Sequence, residues 1–205
     1  MLAKEGKWLE DGMTLFCFGD SLTHSPTGYV KMLGDILAPR SIKVVNAGRG
    51  GDKTTWALTR LYQDVINLKP DAVSIFLGAN DAAVGRGQWA DEPRVTPETY
   101  GCNLRWIVHF CRLAGIARVS ITPPLHRYEG EQYAEFGDIM VPYRAAAREA
   151  ADDMRARFVP GDTAFEEEWA RHPGHTGLLL TTDGVHLTEV GNRLLTETMM
   201  KAWEM

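Results

Sequence analysis

The sequence predicts an α/β protein built on a parallel sheet of about five strands, with helices covering both faces. Two observations carry this reading. Short runs of apolar and β-favouring residues recur at fairly even intervals, and helical patterns fill the gaps between them. Alternation of this kind implies right-handed βαβ crossovers. A third observation adds chemistry: the run Met13-Thr14-Leu15-Phe16-Cys17-Phe18 stops abruptly at Gly19, and Asp20 and Ser21 follow at once. Gly19 permits a backbone turn that a side chain would hinder, so Ser21 is expected just past the carboxyl end of the first strand. Ligands of open α/β sheets sit in the crevice outside those ends.

Strands are expected at Leu15–Phe18, Lys43–Asn46, Ala72–Leu77, Arg118–Thr122 and, more weakly, Arg157–Val159. Helical patterns lie at about Tyr29–Leu37, Thr54–Asn67, Thr96–Ala114, Pro142–Ala156, Thr163–Arg171 and Thr188–Trp203. Pro70-Asp71 closes the second helix and launches the third strand. Thr96 suits the N-cap of the next helix, with Pro97 in its first turn, and Gly115 ends it. Thr188-Glu189 opens the last helix, whose Val190, Leu194, Leu195 and Thr198 are expected to face the sheet. Two stretches, from Ala82 to Val95 and from Pro123 to about Met140, are longer than a connection requires and follow strands at the presumed active edge. The first carries Gly85, Gly87, Trp89 and Pro93; the second carries Tyr128, Tyr133 and Phe136.

A chain of 205 residues, 44% hydrophobic and 24% charged, suits one domain spanning 1–205, with 1–12 as a lead-in. No internal repeat or linker divides it. The formal charge of −5 argues against nucleic acid as a partner. Met1–Gly12 lacks the apolar core of a signal peptide, and no run approaches the ~20 apolar residues of a membrane helix. Three cysteines, Cys17, Cys102 and Cys111, read as free thiols, and the expected location is cytoplasmic. Homo-oligomerisation is left open.

Four segments gather the chemistry: Gly19-Asp20-Ser21-Leu22, Asn46-Ala47-Gly48-Arg49-Gly50-Gly51-Asp52, Gly78-Ala79-Asn80-Asp81 and Asp183-Gly184-Val185-His186. The first three end consecutive strands, and the fourth precedes the last helix. Acyl transfer needs a nucleophile, a base, a group that orients the base, and donors for the developing oxyanion. Ser21 fits the first role, His186 the second and Asp183 the third. The backbone N–H groups of Ser21 and Gly51 and the Asn80 amide fit the last. Each residue also has a plainer reading. Ser21 can cap a helix, Gly50-Gly51 and Asp183-Gly184 can be turns, Asp52 can cap the following helix, and His24 is a rival base. A metal site from Asp20, His24, Asp183 and His186 lacks any zinc-motif pair, so no metal is expected. The Gly-x-Ser-x-Gly elbow is absent because Thr23 occupies its last position.

Together these segments resemble the SGNH, or GDSL, hydrolases. Ser21, Gly51, Asn80 and His186 match the four named blocks in order, and Asp183 matches the acid. The resemblance implies a flavodoxin-like three-layer α/β/α fold and ester hydrolysis without a cofactor. Within the family the chain is similar to the isoamyl-acetate-hydrolysing esterase group. The shared stretches are Thr55-Trp56-Ala57-Leu58, Phe76-Leu77-Gly78-Ala79-Asn80-Asp81-Ala82, Ile121-Thr122-Pro123-Pro124 and Asp183-Gly184-Val185-His186-Leu187. It departs at Leu125-His126-Arg127, where the group has a third proline and an acid, and at 169–182, which is longer and richer in His and Gly. The expected substrate is a small carboxylic ester, with Asp20, Asp81, Pro123 and Val185 as further substrate contacts. A thioesterase or lysophospholipase could use the same residues, and a non-catalytic carbohydrate-binding member is a third reading.

Overall fold

A computed structural model describes residues 7–85, 91–126 and 128–205. Gly87, Trp89 and Arg127, singled out above, lie outside the described residues. The five expected strands form one parallel sheet: β1 (Thr14–Gly19), β2 (Lys43–Gly48), β3 (Ala72–Phe76), β4 (Arg118–Thr122) and β5 (Arg157–Phe158), in the order β2-β1-β3-β4-β5. After β1 the chain crosses to β2 on one side, then returns over β1 to reach β3 on the other. The crevice where the strand order reverses therefore opens at the carboxyl end of β1.

Strand alternation divides the core into two. Phe16 and Phe18 of β1 join Val73 and Ile75 of β3 and Val119 and Ile121 of β4 on one face. Helices α3 (Thr54–Asp64), α5 (Pro97–Leu113) and α7 (Val141–Asp153) cover that face through Ala57, Leu61, Leu104, Ile107, Val108 and Ala147. Leu15 and Cys17 point the other way, into a second cluster made with α2 (Tyr29–Leu37), α8 (Gly161–Ala170) and α9 (Glu189–Ala202). Two packed faces give the three-layer arrangement that the resemblance implied.

The capping signals hold. Thr96 accepts the Thr99 N–H at 3.2 Å, and Thr188 accepts the Gly191 N–H at 3.1 Å. Four local expectations need correction. Helix α3 ends at Asp64, and a 3₁₀ turn over Ile66–Leu68 replaces its last turn. Asp52 does not cap α3. Instead the Asp81 carboxylate, from the segment after β3, accepts the Thr54 N–H with both oxygens at 3.1 Å and so caps the helix. Helix α9 is rotated from the expected face: Val190 is exposed, and Asn192, Leu195, Thr196 and Met199 are buried. Asn192 was not among the residues expected to face inward, yet it turns in, where its Oδ1 accepts the Tyr29 N–H at 2.9 Å. Finally, the stretch 123–140 contains a helix, α6 (Glu131–Phe136), between Gly130 and Gly137.

Candidate active site

A single residue, Asp20, separates Ser21 from the end of β1, and Ser21 opens the short helix α1 (Ser21–His24). The position is crowded: a Cβ on Gly19 would lie 2.0 Å from Thr23 Oγ1 and 2.5 Å from the Phe76 carbonyl, so only glycine fits there. Asp20 is 1% exposed, and its Oδ1 accepts the Leu22 N–H at 3.0 Å, fixing the turn that carries Ser21.

The second half of the site comes from the segment before α9. His186 Nε2 lies 3.0 Å from Ser21 Oγ, and His186 Nδ1 lies 2.7 Å from Asp183 Oδ2. The other Asp183 oxygen accepts the backbone N–H groups of Val185 at 2.8 Å and His186 at 2.7 Å. Burial pushes the Asp183 carboxyl up, but the hydrogen bonds from His186 and Val185 outweigh it and hold the group below its usual value. An ionised carboxylate only accepts, so His186 Nδ1 carries a proton and donates it to Asp183. With the imidazole neutral, Nε2 then presents its lone pair to the Ser21 hydroxyl. His24, the rival base, lies at the end of β2 instead, with Nδ1 3.1 Å from the Gly48 carbonyl.

The expected oxyanion donors stand at the ends of the neighbouring strands. The Arg49 N–H donates to the Gly19 carbonyl at 3.0 Å, tying the loop with Gly51 to the end of β1. Gly51 is exposed and has a φ of 78°. Asn80 sits in the short helix α4 (Ala79–Ala82) and is partly exposed. One proton of its amide goes to the Asp52 carbonyl at 3.0 Å, and the amide has a second to offer.

Of the further expected contacts, Val185 is partly exposed and Pro123 is buried. Asp81 is fully buried, its carboxylate taken up by the Thr54 N–H and hydroxyl. Asp20 and Asp81 are thus closed off from a substrate by their own burial. A groove of about 730 Å³ runs beside the Asp183 segment, lined by Tyr133, Ile139, Met140, Leu178, Asp183 and Val185 among others.

Residues 17–194 match the GDSL-like lipase/acylhydrolase family model, which is most of the chain. The chain belongs to that family. A GDSL esterase/lipase of Arabidopsis thaliana is 30% identical over 91% of this chain and 83% of its own. An isoamyl acetate-hydrolyzing esterase 1 homolog of Mus musculus is 28% identical over 87% and 76%. The crystal structure of Axe2, an acetylxylan esterase from Geobacillus stearothermophilus, superposes with a TM-score of 0.83 at 24% identity, over 96% of each chain. The protein is therefore an enzyme of the GDSL/SGNH esterase family, whose substrates are small-molecule esters. No helix among the described residues is long and apolar enough to cross a membrane.

Two residues of this GDSL hydrolase escaped the sequence reading. Arg60 on α3 is 5% exposed and donates to the Asp52 carboxylate at 2.5 Å, to the Ala47 carbonyl at 2.9 Å and to the Gly19 carbonyl at 2.9 Å. It gathers the ends of β1 and β2 and the loop between Gly51 and α3. Glu129 is also 5% exposed and holds the segment that leads to Asp183. The signal for Arg60 was an arginine on a helix whose neighbour Leu61 is an inward position; Glu129 left none.

Proposed function

We propose that this GDSL hydrolase is a serine esterase that cleaves small carboxylic esters through Ser21, His186 and Asp183. The unbroken chain from Ser21 Oγ through the His186 ring to Asp183, at 3.0 and 2.7 Å, carries the reading. Ser21 Oγ attacks the ester carbonyl carbon as His186 Nε2 takes its proton, and Asp183 stabilises the resulting imidazolium. The carbonyl oxygen becomes an oxyanion, received by the N–H groups of Ser21 and Gly51 and the Asn80 amide. Collapse breaks the ester C–O bond; His186 gives its proton to the departing alcohol and leaves an acyl-Ser21. Water then attacks the acyl carbon, His186 again accepts and returns the proton, and the carboxylic acid leaves with Ser21 restored.

Asp20 and Asp81 act by positioning, Asp20 on the Ser21 turn and Asp81 on the start of α3, while Val185 borders the bound ester. Its similarity to an isoamyl acetate-hydrolyzing esterase homolog and to an acetylxylan esterase supports a short acyl group, acetyl among them, carried on an alcohol or a sugar. Free Cys17, Cys102 and Cys111 support a reducing, cytoplasmic setting. The test is turnover of p-nitrophenyl acetate by wild type and by Ser21→Ala. Loss of all but a few per cent of wild-type kcat supports the assignment, and retention of more than that overturns it.

A further inference from the structure

The base and its orienting acid sit on a segment without regular structure, between α8 and α9. Residues 171–178 are exposed, and a single antiparallel bridge, Thr181 with Leu187, is the sheet-like pairing that closes the Asp183–His186 turn. Such a segment needs an outside anchor to hold a catalytic angle. Glu129 supplies one. Its Oε1 accepts the N–H groups of Leu180 and Thr181, both at 3.0 Å, and its Oε2 accepts the Leu179 N–H. Three consecutive amides thus converge on one buried carboxylate, and charge-assisted bonds of this kind are stronger and more directional than neutral ones. From Thr181 the hold passes directly into the catalytic turn: Thr181 Oγ1 accepts the Gly184 N–H at 2.8 Å, between Asp183 and Val185.

The backbone next to Glu129 reinforces the contact. A Cβ on Gly130 would meet Gly184 Cα at 2.6 Å, and a Cβ on Gly184 would meet Gly130 Cα at 2.8 Å. Glycine on both sides lets the 123–140 segment rest against the backbone of the turn itself.

We infer that Glu129 is a positioning residue for the Asp183–His186 pair. Its carboxylate clamps the Leu179–Thr181 amides and so fixes the angle at which the imidazole meets Ser21. The inference rests on the esterase reading above. A substrate need not touch Glu129 for the clamp to act, so its effect falls on the chemical step rather than on binding.

The test compares wild type, Glu129→Gln and Glu129→Asp, each also in an Asp183→Asn background, on p-nitrophenyl acetate. Glutamine keeps the shape but turns an amide donor toward donors, and aspartate keeps the charge but falls one methylene short. Expected is a ten- to hundredfold fall in kcat for Glu129→Gln with KM within twofold, and a smaller fall for Glu129→Asp. In the Asp183→Asn background the same change costs less than threefold, because its route of action is already broken. The downfield proton resonance of the His186–Asp183 hydrogen bond broadens or shifts in Glu129→Gln. Should Glu129→Gln fail to fold, the Glu129→Asp pair of measurements decides alone. A kcat within twofold of wild type, or an equal loss in both backgrounds, overturns the inference. Ser21→Ala run alongside separates the two claims: an inert Ser21→Ala with a silent Glu129→Gln defeats the clamp only, whereas an active Ser21→Ala defeats the esterase reading.

Discussion

The side-chain amide of Asn80 donates to the backbone carbonyl of Asp52 at 3.0 Å, fastening the residues after β3 to the loop after β2. Asp52 is itself immobilised by Arg60, whose guanidinium also holds the ends of β1 and β2. The amide proposed to meet the oxyanion is thereby set in place before any ester arrives, which is what electrostatic stabilisation of a transition state requires.

Asn80→Ala should lower kcat by roughly 10²–10³, the usual loss for one oxyanion donor, with a much smaller change in KM. Steady-state kinetics on p-nitrophenyl acetate read both constants. A raised KM with unchanged kcat would make Asn80 a ground-state binding residue instead.

Asp81 makes stability depend on pH in the direction opposite to most carboxylates. Burial pushes its carboxyl from 3.8 up to about 6, although the hydrogen bonds from Thr54 act against the rise. Between those values the folded state binds more protons than the unfolded state, so this group's contribution is full below the unfolded value and is lost as pH rises through about 6. A shift of this size corresponds to about 3 kcal/mol. Urea unfolding of wild type and Asp81→Asn at pH 4.5 and 7 isolates the effect. Wild type should gain less stability, or lose more, than Asp81→Asn over that interval; parallel behaviour would contradict the account.

The two histidines near Ser21 separate by their partners. His186 has Asp183 on one ring nitrogen and Ser21 on the other, whereas His24 faces the Gly48 carbonyl. His186→Ala should cost several orders of magnitude in kcat, His24→Ala less than about tenfold, and Asp183→Asn an intermediate amount. The same ester at saturating concentration provides the ranking, and its reversal would displace His186 as the base.

How much of this was legible in the sequence follows from the physics of each signal. The inner strands β1, β3 and β4 are buried and write themselves as apolar runs, and with the part-exposed edge strands β2 and β5 all five were placed within about two residues at each end. The Asp183–His186 turn was readable because its partners are three residues apart, and local geometry alone brings them together. Helix α6 was missed because its six residues include no buried side chain, leaving no apolar periodicity to read. Arg60 and Glu129 were missed for a different reason. A charged residue's default place is the surface, and only contacts across long sequence separations, 41 residues from Arg60 to Gly19 and 51 from Glu129 to Leu180, bring these two inside. The same holds for Asp81, which looked like a substrate contact beside Asn80 and turned out to cap α3.

The central claim is that Ser21 is the nucleophile, and covalent capture tests it most directly. A fluorophosphonate, which phosphonylates an activated serine by displacing fluoride, should add one phosphonyl group to the intact protein. Peptide mapping by mass spectrometry should place that group on Ser21, with esterase turnover lost in proportion to labelling. His186→Ala should label far more slowly, since Ser21 then lacks its base, and Ser21→Ala should not label. Stoichiometric labelling at another residue, or full labelling with turnover intact, would contradict the account.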